Sequence, residues 1–492
     1  MTANDDDYVL LPATAASANS HNRFMVLAVA LSVFLVQYSQ SQAMIAPFLP
    51  ASRPGLLMGP DLVGVAFSAY PLATAIVTPL PPKLLRHMGL RAMVMLGLCI
   101  SSAANFAACI AGSLASESWA GVLDFCLILS RALGGAGAAL SESGCLTAVS
   151  TAGWGEDMGK ALSAVEITTG VGAALGAALG GWLYALGSWT LPMAVAGLLP
   201  LSVLPLVARA LPAEMPSTGC DADSTAGGLG DIEWTVARMV SCASLVLSAM
   251  IFEGLNPLLE PHLHRAPYHL DIAAVGDVLA AICFMYTVTA LPIGWLVDQL
   301  NHGDHAACRL HAIMLAGWVV ALVAAILLAP GGGGGHSGDG GGGGGGSDGG
   351  SSSSSSVGEH MGGSGDGADD SVGYSLWPTS APIAQRALLF AVPAMGASAA
   401  VITLPSLPDM QRGIPESDGS RKAAVCAVWN GMYAGGSAIG PLLSVVVYAR
   451  VGWAAIILTQ VGIAVAAAVA FLALACFESR ATAALHGEPR HS

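Results

Sequence analysis

Stretches of about twenty or more mainly apolar residues recur along the whole chain. They lie near 24–48, 62–83, 90–113, 121–150, 159–185, 189–209, 235–258, 273–297, 309–329, 386–408, 422–448 and 452–476. At 1.5 Å per residue, one such stretch crosses the ~30 Å hydrocarbon core of a bilayer as an α-helix. In lipid the backbone must satisfy its own hydrogen bonds, so runs of this kind fold as helices. The pattern predicts an all-α integral membrane protein with 12 transmembrane helices in two six-helix bundles. Composition agrees. Of 492 residues, 54% are hydrophobic and 10% charged, against about 25% charged in soluble domains, and the mean hydropathy is +0.66. Too few polar side chains remain to cover a water-facing surface of that size, which excludes an ordinary soluble enzyme. The 61 glycines keep no three-residue period, which excludes a collagen.

The runs divide into six, a polar bridge and six more. Residues 1–23 read as a disordered cytosolic tail, 24–210 as the N-terminal bundle, 211–233 as a cytosolic linker, 234–476 as the C-terminal bundle and 477–492 as a cytosolic tail. A Gly/Ser insert, 331–375, has too little apolar surface to offset its ordering entropy and is expected to be disordered and non-cytosolic. The first ~22 residues are polar and acidic, and the run after them is long enough to span, so no cleavable signal peptide is expected. With the N-terminus in the cytosol, the inner Lys and Arg are Arg23, Lys83, Arg86, Arg91, Lys160, Arg209, Arg238, Arg309, Arg412, Arg421, Lys422, Arg480 and Arg490. The outer ones are Arg53, Arg265, Arg386 and Arg450. That asymmetry satisfies the positive-inside rule and puts both termini in the cytosol.

The formal charge of −14 sits largely in tails and loops, such as Asp5–Asp7, and argues against nucleic acid as a partner. The ten cysteines lie mostly inside apolar runs without a C-x-x-C spacing, so they read as small buried hydrophobes rather than disulfides or metal ligands. His262, His264 and His269 cluster beyond the seventh run, in a proline-flanked loop without accompanying carboxylates, and read as solvated rather than as a metal site. No phosphate-binding loop or nucleophile elbow occurs in a credible context, so ATP-driven and hydrolytic chemistry lack support and no cofactor is expected.

An ionisable side chain at the centre of a bilayer costs ~2.5–3.5 kcal/mol or more, so each one is a candidate site. The candidates are Arg131, Glu142, Glu166, Glu253 and Asp277. Arg131 and Glu142 are 11 residues apart, within about 20° of three full helical turns, and therefore share one face of the fourth helix. Glu142 and Glu166 lie at similar depths on consecutive antiparallel helices. Two carboxylates in one low-dielectric cavity do not both stay charged at low cost. That is what a carrier needs if it loads protons in an acidic compartment and releases them in a neutral one, and it also seats a cationic amine. Glu166 is the expected primary proton and amine carboxylate and Glu142 its auxiliary, with Arg131 biasing their protonation. Arg131 pairing with an acid merely to hold the bundle is the plainer alternative. Glu253 and Asp277 fall toward the non-cytosolic ends of their helices and are expected in a vestibule.

The halves echo each other. PKLLRHMGLR (82–91) ends the second run and GWLVDQL (294–300) the corresponding eighth. Gly172, Gly176 and Gly180 in the fifth run match Gly436, Gly440 and Pro441 in the eleventh. Two-bundle secondary transporters are built from such repeats.

On these residues the chain resembles the major facilitator superfamily. Arg131-x-x-x-Gly135-x-Gly137 is similar to the superfamily's fourth-helix motif. GVGAALGAALGGWLY (170–184) resembles the fifth-helix motif of proton-coupled antiporters, with Ala177 where a proline is usual. Gly294 and Asp298 match the loop motif after helix eight, and the first-half copy keeps Gly89 but has Arg86 and His87 in place of Asp-Arg. A narrower resemblance, to the vesicular amine and polyamine transporters (solute carrier family 18), rests on Ala46-Pro47-Phe48-Leu49-Pro50, VEITTGVG (165–172), Asn256-Pro257-Leu258 and WNGMYAGGSAIGP (429–441). Monoamine carriers of that family have acids in helices one and eleven. Here Gln37, Gln40 and Gln42 occupy the first and Asn430 the eleventh, which favours the polyamine-type branch.

The resemblance implies a secondary transporter, not an enzyme, working by alternating access. Its expected activity is proton-coupled antiport of an organic cation, amine or polyamine, with Asn430 beside the carboxylates. Asp298 and Gly294 would serve gating, and Gly135 and the two glycine ladders helix packing or rocking. The partners are then a small organic solute, protons and membrane lipid, and the protein is expected to be a monomer. A drug or other-solute exporter and a non-transporting sensor or scaffold stay open beside it. Asp6-Asp7-Tyr8-Val9-Leu10-Leu11 resembles an acidic dileucine signal and suggests a vesicular, endolysosomal or vacuolar membrane.

Overall fold

The computed structural model describes residues 13–43, 60–113, 120–152, 158–187, 189–211, 234–264, 268, 270–300, 306–329, 381–412, 414 and 419–485. These form thirteen α-helices. The N-terminal half holds α1 (Ala13–Ala43), α2 (Pro60–Val77), α3 (Pro81–Met88), α4 (Leu90–Ser113), α5 (Ala120–Thr151), α6 (Met158–Gly187) and α7 (Thr190–Ala210). The C-terminal half holds α8 (Val236–Leu263), α9 (Ile272–Leu300), α10 (Ala306–Leu327), α11 (Ala381–Gln411), α12 (Gly419–Val451) and α13 (Trp453–Leu485). Ten are long and apolar enough to cross a membrane, and α2 contributes the shorter apolar helix Leu62–Val77. Helix α5 is equally long but carries Asp124, Arg131 and Glu142.

Three boundaries differ from the sequence reading. PKLLRHMGLR does not end the second long helix. Pro79 follows Val77 by two residues, lacks an N–H and restricts the residue before it, so α2 stops and the motif forms the separate short helix α3. Gly89 then reverses the chain into α4 at φ 79°, its N–H donating to Leu85 O at 3.1 Å. Helix α1 starts at Ala13, not 24, and α13 runs to Leu485, not 476. Alanine-rich ends such as ATAASANS have good helix propensity and continue the helix past the apolar run. The linker 212–233, the insert, the 46–50 motif and the dileucine sequence lie outside the described residues.

The two halves repeat one packing scheme. α1 packs on α6 as α8 packs on α12, and α2 on α5 as α9 on α11. The same holds for α4 on α5 beside α10 on α11, and for α4 on α7 beside α10 on α13. The halves meet through α6 against α9 and α12 against α2. Both glycine ladders work inside a half. β-Carbons at Gly172 and Gly180 would lie 2.7 and 2.5 Å from the backbone oxygens of Leu35 and Ala43, and at Gly436 and Gly440 2.5 Å from those of Val246 and Met250. A β-carbon at Gly176 would run into the Ser39 backbone. The ladders thus set close backbone packing of α6 on α1 and of α12 on α8. Gly176→Val should force α1 and α6 apart, an overpacking cost of about 1–3 kcal/mol, read as a lower melting temperature in detergent. At Gly294 a β-carbon meets nothing within 4 Å among the described residues, so Gly294→Ala should melt like the wild type.

The distribution of core side chains shows which end of the molecule is closed. One cluster spans both halves, joining Val63, Phe67 and Leu127 to Ile251, Leu255 and Leu258. At the other end the apolar contacts stay within a half. Val29, Leu98, Val149 and Val165 cluster in the first, while Met410 with Val428, and Val297 with Leu310, cluster in the second. Among the described residues, buried apolar side chains thus join the halves at one end, the sealed one, and stay within each half at the other, the split one, which holds the start of α1 and the end of α11.

Candidate functional site

Between the halves lies a cavity of about 210 Å³. Its polar lining comes from seven helices, α11 contributing Thr403. Tyr38 and Gln42 stand on α1, Glu142 on α5, Glu166 and Thr169 on α6, Ser248 and Glu253 on α8, Tyr286 on α9, and Asn430 and Tyr433 on α12. Three carboxylates thus converge, two from one half and one from the other, and no Lys, Arg or His stands among the described lining residues. Glu142 and Glu166 line the same cavity from the consecutive helices α5 and α6. Glu253 accepts a hydrogen bond from Asn256 Nδ2 at 2.7 Å, one turn along α8. Aromatic pairs at helical spacing flank the acids: Phe34 stacks with Tyr38 at 6.4 Å on α1, and Trp429 with Tyr433 at 6.3 Å on α12. Trp429 Nε1 donates to Ser406 Oγ at 2.8 Å, which orients the indole.

The structure redistributes the expected roles. Glu253 does not stand apart in a vestibule, because the sealed end leaves its helix turn facing the same chamber as Glu142 and Glu166. Asp277 is exposed on α9 and lines no part of the cavity. Asp298 lies on the last turns of α9. Arg131 is buried at 6% exposure but does not line the cavity. It donates from Nη1 to Ser41 O at 3.3 Å and its Cζ lies 4.9 Å from the Tyr70 ring centre.

The glutamines of α1 divide. Only Gln42 lines the cavity. Gln37 Nε2 donates to Ser141 Oγ at 2.6 Å, Gln40 Nε2 donates to Gln37 Oε1 at 2.5 Å, and Asn105 Nδ2 donates to Gln40 Oε1 and, at 3.0 Å, to Ala196 O. That chain of buried amides ties α1, α4, α5 and α7 together, so Gln37 and Gln40 are structural and do not replace substrate acids. Sequence reading missed it because a polar residue in an apolar run looks the same whether it faces a cavity or a neighbouring helix. Phe34 and Tyr38, like Trp429 and Tyr433, stand four positions apart, and that spacing was the available signal for the aromatic walls.

The sequence model described as Major Facilitator Superfamily matches residues 24–338. The chain belongs to the major facilitator superfamily. Its fold is also that of the nucleoside transporter NupG, whose mutant crystal structure superposes with a TM-score of 0.60 at 12% identity, covering 92% of this chain and 99% of that one. No curated protein matches the sequence. As a superfamily transporter the chain is a multi-pass membrane protein that moves a small solute, and its fourth-helix motif gains a physical reading. Gly135 lets the Tyr70 backbone of α2 press directly on α5, and a β-carbon at Gly137 would lie 2.5 Å from Gly97 O of α4. Thr74 Oγ1 then donates to Gly135 O at 3.1 Å and fixes the register. Gly64 and Pro441 form the matching close approach between halves, where a β-carbon would meet Pro441 O at 3.1 Å.

Proposed function

We propose that the protein is a proton-coupled antiporter that exchanges hydrogen ions for an organic cation, an amine or polyamine, by alternating access. The observation that carries this reading is the cavity's charge: Glu142, Glu166 and Glu253 face it without a cationic side chain among its described lining. Such a chamber repels anions, and each of its acids can hold a proton or an ammonium group but not both. That exclusivity is the coupling an antiporter needs. The sealed and split ends support alternating access, with the split end facing the cytosol, where the positive-inside asymmetry puts the chain termini. The aromatic walls suit the apolar body of an amine and offer cation–π contact to its charged head. The polyamine-type branch of the vesicular amine carriers, a vesicular or vacuolar membrane and a monomeric state complete the proposal.

The same walls favour a second reading, an exporter of bulky apolar cations. Uptake into acid-loaded proteoliposomes separates the two, using a panel of a diamine, a triamine, an aromatic monoamine and a lipophilic cation. Accumulation of the aliphatic amines that collapses when the pH gradient is dissipated is the expected result. Uptake that ignores the gradient would remove proton coupling, and uptake of the lipophilic cation alone would select the exporter.

A further inference from the structure

We propose that Gln37 and Ser39 are positioning residues that clamp α1 on either side of Tyr38 and aim its ring into the chamber, where Tyr38 seats the charged head of the cargo. The inference deepens the reading of the chamber as a site for organic cations, and rests on that reading for the cargo alone. Phe34, Tyr38 and Gln42 stand four positions apart, so they share one face of α1, and all three line the cavity. Gln37 and Ser39 leave the helix about 100° to either side of Tyr38. Both are buried, at 0% and 6% exposure, and each bonds a different neighbouring helix.

On one side Gln37 Nε2 donates to Ser141 Oγ of α5 at 2.6 Å. The Gln37 amide is oriented by Gln40 Nε2, which donates to its Oε1, and the Ser141 hydroxyl by its own donation to Gly137 O at 3.0 Å. On the other side Ser39 Oγ donates to Gly172 O of α6 at 3.0 Å. Glycine permits that approach: a β-carbon at Gly172 would lie 2.7 Å from Leu35 O and 3.2 Å from the Tyr38 β-carbon. Helix α1 is therefore fastened to the helix of Glu142 and to the helix of Glu166, and Tyr38 stands between the two fastenings. Ser141 is followed directly by Glu142, so the same bond sets the rotation of the helix that carries that acid. The nearly parallel ring of Phe34, 6.4 Å away, supports Tyr38 from one turn along α1. A ring held in this way loses little freedom when a cation docks on it, and such preorganisation raises affinity.

The test separates aim from fold. Ser39→Ala removes one fastening, and Ser141→Ala removes the other while leaving the Gln37 amide its second acceptor, Ser101 Oγ at 3.3 Å. Uptake of a labelled diamine into acid-loaded proteoliposomes is measured with the full chain. Ser39→Ala and Ser141→Ala together should raise KM about threefold at an unchanged maximal rate. A loss of stability alone would lower the maximal rate through lost protein and leave KM where it was. Tyr38→Leu should raise KM about tenfold, and Tyr38→Phe, which keeps the ring, should match the parent. Adding the two serine substitutions to Tyr38→Leu should raise KM no further. Equal KM for Tyr38→Leu and Tyr38→Phe overturns the seat, and a full serine effect on the Tyr38→Leu chain overturns the aiming. The aim is also read without cargo, from the rate at which a hydrophilic thiol reagent labels a chain carrying Tyr38→Cys in detergent, with labelling of the chain lacking that substitution subtracted. Losing both serine hydroxyls should slow that rate about threefold, and an unchanged rate overturns the clamp. A wild type that exchanges no amine for protons sinks the functional reading and leaves the labelling result to decide the clamp.

Discussion

Glu166→Gln should abolish gradient-driven amine uptake, a loss of about two orders of magnitude or more, while the protein still folds and reconstitutes. The amide keeps the size and polarity of the side chain on α6 but can neither hold a proton at physiological pH nor neutralise an ammonium group. Glu166 lines the cavity on the helix whose glycines pack closely against α1. Glu142→Gln should cost less, because Glu166 and Glu253 remain, and the double Glu142→Gln/Glu166→Gln variant should be no worse than Glu166→Gln alone. A pH-sensitive dye inside the liposomes reports proton efflux independently of labelled amine. Wild-type efflux and uptake by Glu166→Gln would show that the shared chamber is not the proton route.

Much of the fold was legible because lipid leaves the backbone few choices. Apolar runs of the right length fold as helices, and the helices found overlap every predicted run. The repeat was legible too, since Gly172/Gly176 and Gly436/Gly440 occupy equivalent contacts against α1 and α8. Depth along a helix could be counted, which put Glu142 and Glu166 together. Azimuth could not. Whether Glu253 faces the chamber, Asp277 faces outward or Gln37 faces Ser141 depends on how six helices rotate against one another, and a single helix's periodicity is silent on that when all its faces are apolar. The same limit hid the seat of Arg131, which lies against Ser41 O and the Tyr70 ring rather than in the cavity lining.

The buried Asp409 cluster illustrates the limit further, because its members come from three helices and no motif joins them. Asp409 Oδ1 lies 3.2 Å from His311 Nε2 and 3.1 Å from Arg412 Nη2, and Ser241 Oγ donates to Oδ2 at 2.5 Å. Arg238 closes the end of α11 by donating from Nε to Met410 O at 2.9 Å and from Nη2 to Arg412 O at 2.7 Å. The carboxylates of Asp409 and Glu166 differ in what surrounds them: the first is enclosed by donors at the split end, the second opens onto the chamber. Asp409→Ala should therefore act on stability, costing about 3–5 kcal/mol, the usual result of leaving buried polar groups without their counter-charge. Asp409→Asn, which keeps the shape and one acceptor, should cost less, and adding His311→Leu to Asp409→Ala should recover part of the loss by removing one stranded partner. The measurement is a thermal melt in detergent, with Asp277→Asn as the exposed control that should not move. If Asp409→Ala instead melted normally and lost only exchange, the cluster would belong to the transport machinery rather than to the scaffold that holds α8, α10 and α11 together at the split end.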